Sequence, residues 1–259
     1  MAARVAIVAL TMAALAGLVA CGGGRDAGNG SILVVAAADL RFAFDEIEKA
    51  FEGECRCRVE ITFGSSGAFA AQIEQGLPAD VFFSADTGYV ASLESKGLIL
   101  EGSARTYASG RIVLAKNRRV EGKLETPGDL LSPAFRRIAI ANPAHAPYGS
   151  AAREVLANAA LWDLLQPRLV LGESAFQSAQ FIEAGDAQAG IIPLSLAIGL
   201  RDRLDYVLIE RSQHTPLRQV AGVIRRSRSP GLARSFVDFV CGPRGREILA
   251  RYGFEAAED

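Results

Sequence analysis

Histidine and cysteine are scarce in this chain of 259 residues: there are two of the first, His145 and His214, and four of the second. So small a stock offers no zinc-finger spacing. Basic residues show no surplus either, with 28 Lys and Arg against 29 Asp and Glu, which argues against a nucleic-acid partner. The charges are spread rather than blocked, as solvated faces are. There is no Gly-x-Ser-x-Gly elbow, because the glycines of Gly64-Ser65-Ser66-Gly67 stand one residue too close. Beyond residue 20 no apolar run is long enough to span a bilayer. What the chain does have is a composition that is half hydrophobic, ample for a core in one large domain or two lobes.

The start of the chain is a separate object. Arg4 gives a short basic lead, Val5 to Ala20 is apolar, and Leu18-Val19-Ala20-Cys21 closes the run on a cysteine. This resembles a bacterial lipoprotein signal, with residues 1–20 removed and Cys21 lipidated as the mature N-terminus. A simple transmembrane anchor is the competing reading. Residues 21–30 are glycine-rich and read as a flexible tether. The mature domain is then expected to be extracytoplasmic, soluble itself and held to the membrane by lipid. Export permits a disulfide. Cys55 and Cys57 read as poor partners for each other in an extended segment, whereas either could meet Cys241; a free thiol is the third option.

Strand-then-helix units recur along the rest. Ser31–Ala37 reads as a strand, with Asp39 as a natural N-cap for the helix Leu40–Phe51. Val59–Phe63 and Ser66–Gln75 repeat the unit, and Ala79–Ser84 with Thr87–Lys96 repeat it again. Further strands are expected at Ile112–Ala115, Arg137–Ala141, Arg168–Leu171, Ala189–Pro193, Tyr206–Ile209 and Val220–Ile224. Helices are expected at Ser150–Ala160, Ala175–Ala184, Gly231–Val240 and Arg244–Arg251. Such alternation implies helix-covered, mainly parallel sheets.

The turn Phe63-Gly64-Ser65-Ser66-Gly67 joins a strand to a helix. Helix-first amides lack intrahelical partners, glycines admit close approach, and the two hydroxyls add donors. The product is a small anion site. Turns of the same kind recur at Pro147-Tyr148-Gly149, Glu173-Ser174-Ala175 and Pro193-Leu194-Ser195. Ligands of open α/β sheets bind at the carboxyl ends of the strands. Two sheets facing each other would enclose an anion between converging neutral donors. Trp162 and Phe176 read as packing, and Arg41 as an exposed helical residue.

These residues resemble the molybdate-binding proteins of bacterial ABC transporters, which have a two-lobed type II periplasmic-binding-protein fold. The matching stretches are Ala36-Ala37-Ala38-Asp39-Leu40, Phe63 to Gly67, Ala79 to Asp86, Leu161-Trp162-Asp163 with Pro167-Arg168-Leu169, and Gly242-Pro243 with Arg251-Tyr252-Gly253-Phe254. They run in order over nearly the whole mature chain. The resemblance implies one lobe of residues 31–108 plus 220–259 and another of 109–219. Hinges are expected near Ala108–Arg111 and Leu217–Val220. It implies a receptor rather than an enzyme, a monomer without cofactor, that captures molybdate or tungstate and delivers it to a permease and its ATPase. The implied ligand set is Ala38, Asp39, Ser65, Ser66, Tyr148 and Ala175, with Ser66 the clearest match.

Two positions depart from the family. Pro193 stands where some members have a tyrosine, which leaves Tyr148 as its replacement. Asp39 stands where members have Ser, Thr or Asn, and a carboxylate repels a dianion. Either its side chain turns away to cap its own helix, or the ligand is a different one. Another oxyanion or a small organic acid keeps the fold; Arg41 and Arg111 are the cations that could reach such a cargo. A serine hydrolase built from Ser65, Ser66, His145 and His214 is the competitor of another class, although His145 in its Pro-flanked loop and His214 in a polar stretch both read as surface residues.

Overall fold

The computed structural model describes residues 30–257. The expected leader, Cys21 and the tether through residue 29 lie outside them. In chain order, β1 (Ser31–Ala37) leads through a 3-10 turn, Ala38–Leu40, into α1 (Arg41–Cys55). Then come β2 (Arg58–Gly64), α2 (Ser66–Glu74), β3 (Val81–Ser84), α3 (Thr87–Ser95) and β4 (Arg105–Gly110). A middle section follows with β5 (Ile112–Asn117), β6 (Ile138–Ala141), α4 (Pro147–Asn158), the short α5 (Trp162–Leu165) and β7 (Leu169–Gly172). It continues through α6 (Ala175–Ala184), β8 (Ala189–Pro193), α7 (Leu194–Gly199) and β9 (Leu204–Leu208). The chain ends with β10 (Leu217–Val223), α8 (Pro230–Cys241) and α9 (Pro243–Arg251).

Among the described residues the strands form two five-stranded sheets, ordered β2-β1-β3-β10-β4 and β7-β6-β8-β5-β9. Within the first, β1 pairs in parallel with β2 and β3, while β10 runs antiparallel to β3 and β4. Continuous apolar runs such as Val81-Phe82-Phe83 are buried because helices cover both faces. On one side, Phe44 of α1 meets Phe83 edge-on with ring centres 5.0 Å apart, and Phe236 of α8 meets Phe83 at 5.7 Å. The second lobe has its own core, in which Ile138, Ile140, Val155, Ile182 and Ile191 are buried.

β4 is a strand that the sequence does not signal. Its residues Arg-Thr-Tyr-Ala-Ser-Gly have no apolar run, and as an edge strand it needs only one partner, β10. The two connections between lobes run side by side through this pair. Leu217 lies opposite Gly110 and Gln219 opposite Ala108, with a slip in register between Gln219 and Val220. Next to this crossing, Arg111 donates to Glu255 Oε1 at 2.9 Å and to the Ile209 carbonyl at 3.0 Å. That side chain is fastened into the framework rather than offered to a cargo. Arg41 lies over the Phe63 ring and 3.9 Å from Asp45.

The cysteine expectation is corrected. Cys55 and Cys57 are bonded to each other, with Cα atoms 5.2 Å apart, and Cys241 is a buried free thiol. The segment is not extended. Arg56 takes a left-handed conformation at φ 53°, ending α1 and folding the chain back so that the flanking side chains meet. Among the described residues no helix is long and apolar enough to cross a membrane.

Candidate functional site

The carboxyl ends of β1, β2 and β3 face those of β6, β7 and β8, and the lobes touch there. Asp39, on the 3-10 turn after β1, receives a hydrogen bond from Tyr148 of α4 at 2.8 Å. Ser195 of α7 donates to the Asp39 carbonyl at 2.7 Å. On the other flank, the Gly67 amide donates to the His145 carbonyl at 2.9 Å, and Ser65 Oγ lies 2.8 Å from His145 Nδ1. A Cβ on Gly67 would stand 2.7 Å from that carbonyl oxygen, so the contact requires glycine.

Asp39 does not cap its helix. α1 starts only after the 3-10 turn, with Leu40 at its N-cap and no side-chain capping bond. The carboxyl group turns inward instead and is 1% exposed. Its Oδ2 accepts from Tyr148 Oη and from Gln219 Nε2 at 2.7 Å. Gln219 Nε2 also donates to Tyr148 Oη at 2.9 Å, and Tyr107 donates to Gln219 Oε1 at 2.6 Å. Every donor in this chain has one consistent direction, from Tyr107 through Gln219 and Tyr148 to Asp39. The second carboxyl oxygen, Oδ1, is buried with no partner among the described residues.

Burial raises the Asp39 pKa to about 6, against the partial relief given by Gln219, Tyr148 and its own backbone amide. The same burial, with the Asp39 charge, holds the Tyr148 hydroxyl well above its ordinary range. A carboxyl whose folded pKa exceeds its unfolded value binds more protons when folded, so its contribution to stability falls as pH rises from about 4 to above 6. From the ordinary 3.8 to about 6, the loss is on the order of 3 kcal/mol. Asp39→Asn is therefore expected to flatten that decline in urea unfolding measured from about pH 4 to pH 8. A wild-type-like decline in the variant would place the titration elsewhere.

Ser66 is 1% exposed at the first position of α2. Its Oγ accepts the Ala85 amide at 3.0 Å, which leaves the hydroxyl hydrogen to be donated onward. Ser65, the N-cap of α2, is already engaged, since its Oγ takes the Ala68 amide at 3.3 Å as well as facing His145. Ala38 is buried in the turn beside Asp39. Ala175 is buried at the start of α6, where Ser174 caps the helix by accepting from the Gln177 amide at 3.2 Å. Its own amide belongs to the first turn, whose donors face outward along the helix axis. Tyr148 lies inside the first turn of α4, because that helix begins at Pro147, three residues before the expected start.

The structure thus brings Ala38, Asp39, Ser65, Ser66, Tyr148 and Ala175 to the two facing edges, but commits the Asp39 and Tyr148 side chains to each other. Two partners escape sequence reasoning, Tyr107 and Gln219, while Ser195 stands in a turn that the sequence flags and His145 reads there as a surface residue. Tyr107 and Gln219 lie mid-strand, on β4 and β10, and no strand-to-helix turn flags them. His145 is held between lobes, and its Nε2 lies 3.5 Å from Glu173. His214 is largely buried away from these residues, with its Nδ1 2.8 Å from the Thr215 carbonyl. Phe176 packs edge-on against Phe42 at 6.0 Å and Trp162 stacks under Arg153 at 5.2 Å, in keeping with packing roles.

Residues 32–255 match the family model described as bacterial extracellular solute-binding protein. A molybdate-binding protein of Rhodobacter capsulatus is 33% identical over 88% of this chain and 89% of its own length. One of Azotobacter vinelandii is also 33% identical, over 95% of this chain and 96% of its own. The solved periplasmic molybdate-binding protein of Azotobacter vinelandii superposes with a TM-score of 0.81 at 30% identity, covering 88% of this chain and all of that one.

Proposed function

We propose, on the premise that the chain belongs to the bacterial extracellular solute-binding protein family, that it is the extracytoplasmic receptor of an ABC importer for molybdate or tungstate. The observation that carries the reading is Ser66. Its oxygen is satisfied by the Ala85 amide, so its proton is available to an oxyanion at the edge where both lobes converge. Charge-assisted hydrogen bonds of this kind are the stronger class. The dianion is held by neutral hydroxyls and helix-first amides from Ser66, Ala38 and Ala175, with Tyr148 shaping the wall. A buried anion is tolerated only when most of its oxygens are paired.

Residues 31–108 plus 220–259 and residues 109–219 are the bodies that close, and Ala108–Arg111 and Leu217–Val220 are the segments that flex. The side-by-side pairing of β4 and β10 supports this, since it places both connections on one axis. The closed protein, a monomer anchored through Cys21, then presents its cargo to the permease and its ATPase. Selectivity against sulfate comes from cavity size, because the charge is the same.

Calorimetric titration of the purified protein with sodium molybdate, tungstate and sulfate tests the reading. Saturable heat with molybdate or tungstate and a raised melting temperature is the expected result. No heat and no melting shift with either would reject the cargo.

A further inference from the structure

We propose that Asp39 takes part in capture as a neutral acid, so that binding of a fully deprotonated tetrahedral oxyanion draws about one proton from neutral solution. The inference rests on the oxyanion reading above and adds to it the protonation state of the site. Oδ2 of Asp39 is already served by two donors, Tyr148 Oη and Gln219 Nε2. Oδ1 is buried and has no donor among the described residues. An ionised Oδ1 would add a third negative charge beside a dianion, in a place closed to water. A protonated Oδ1 supplies the O–H donor that the oxyanion needs.

The surroundings leave the carboxyl group as the proton's destination. At this meeting of the lobes the titratable side chains in or beside the Asp39 network are Tyr148 of α4, Tyr107 of β4, and His145 and Glu173 on the loops before α4 and α6, with Arg41 of α1 two residues along the chain. Tyr148 touches Asp39 as a donor, and Tyr107 acts one step away through Gln219. Arg41 turns to Phe63 and Asp45. His145 faces Ser65 on one side of its ring and Glu173 on the other. No cation among these groups is thereby committed to neutralising the carboxylate. The raised Asp39 pKa agrees with this arrangement, since the carboxyl group is poised to accept a proton once a dianion arrives. The step balances: a carboxylate, a solution proton and a dianion become a carboxylic acid whose Oδ1–H bonds one oxyanion oxygen. The net charge of the site changes by that of the oxyanion plus the proton.

The substitution Asp39→Asn would reproduce the neutral form, with the new carbonyl oxygen facing Tyr148 and Gln219 and the new amide group at the Oδ1 position. The test is titration of the wild-type protein and Asp39→Asn with sodium molybdate at about pH 6, 7 and 8, spanning the window in which the carboxyl group changes charge. Each titration is repeated in buffers of differing ionisation enthalpy, so that protons taken up are counted. For the wild type, uptake near one proton at about pH 8 and an affinity loss approaching about tenfold per pH unit above about pH 7 are expected. Asp39→Asn is expected to bind without proton uptake and with an affinity that does not change with pH. Tight wild-type binding at the highest pH with no proton uptake would overturn the inference and leave the oxyanion reading standing. Absence of molybdate binding at every pH would overturn both. If Asp39→Asn does not fold, uptake that survives in His145→Gln keeps the proton on the carboxyl group, and uptake lost there overturns the inference.

Discussion

Gly67→Ala is expected to weaken oxyanion capture by about 5- to 150-fold while leaving the melting temperature of the ligand-free protein near that of the wild type. The factor is the roughly 1–3 kcal/mol typical of overpacking, converted at about 1.4 kcal/mol per decade. The reason it falls on capture is where the new methyl group would sit. It would lie 2.7 Å from the His145 carbonyl oxygen and 3.0 Å from the His145 Cα, both backbone atoms of the opposite lobe. Backbone cannot rotate out of the way as a side-chain tip can. Its third neighbour, Tyr89 Oη at 2.8 Å, belongs to the same lobe but is the end of a movable side chain. The closed form alone therefore carries the clash, together with the strain it places on the bond from the Gly67 amide to the His145 carbonyl. Parallel titration and thermal melting check this; unchanged affinity in the variant would show that the lobes do not need this approach to hold a ligand.

The second large effect is expected at Ser66. Ser66→Ala removes a donor to a charged acceptor, a loss of about 1.5–3 kcal/mol, or roughly 10- to 150-fold in affinity. It also strips the Ala85 amide of its acceptor, so a stability loss of about 1–3 kcal/mol accompanies it. The two effects separate by experiment, since urea unfolding without ligand reads the second and titration of the folded protein reads the first. A folded Ser66→Ala protein that binds as the wild type does would remove Ser66 from the ligand shell.

The fold is legible where apolar period and turn chemistry agree. Ala175–Ala184 and Ala189–Pro193 have the bounds read from sequence, because each is framed by a cap or by Gly and Pro punctuation. β4 is illegible for the opposite reason: an edge strand of mixed polarity carries no run to detect. The same division holds at the site. Ser66 and Ala175 announce themselves, since helix-first residues follow strand ends in sequence. Gln219 does not, since a buried glutamine in a strand declares itself only through partners 71 and 180 residues away. Asp39 departs from its expected role as a cap for a physical reason. N-cap preference is a local tendency, and here two long-range donors outcompete it. The disulfide is hidden because the geometry of Cys55 and Cys57 depends on one residue, Arg56, leaving the extended region.

The order of strands also decides which half of the molecule can be completed first as the polypeptide emerges. All strands of the second sheet lie between Ile112 and Leu208, so that sheet is whole once a single continuous stretch is available. The first sheet waits for β10, and the Phe236 that packs on Phe83 arrives later still on α8. A chain threaded lengthwise from its N-terminus would thus present its earliest strands unfinished for most of the passage. Its first-made half is the last to become a body.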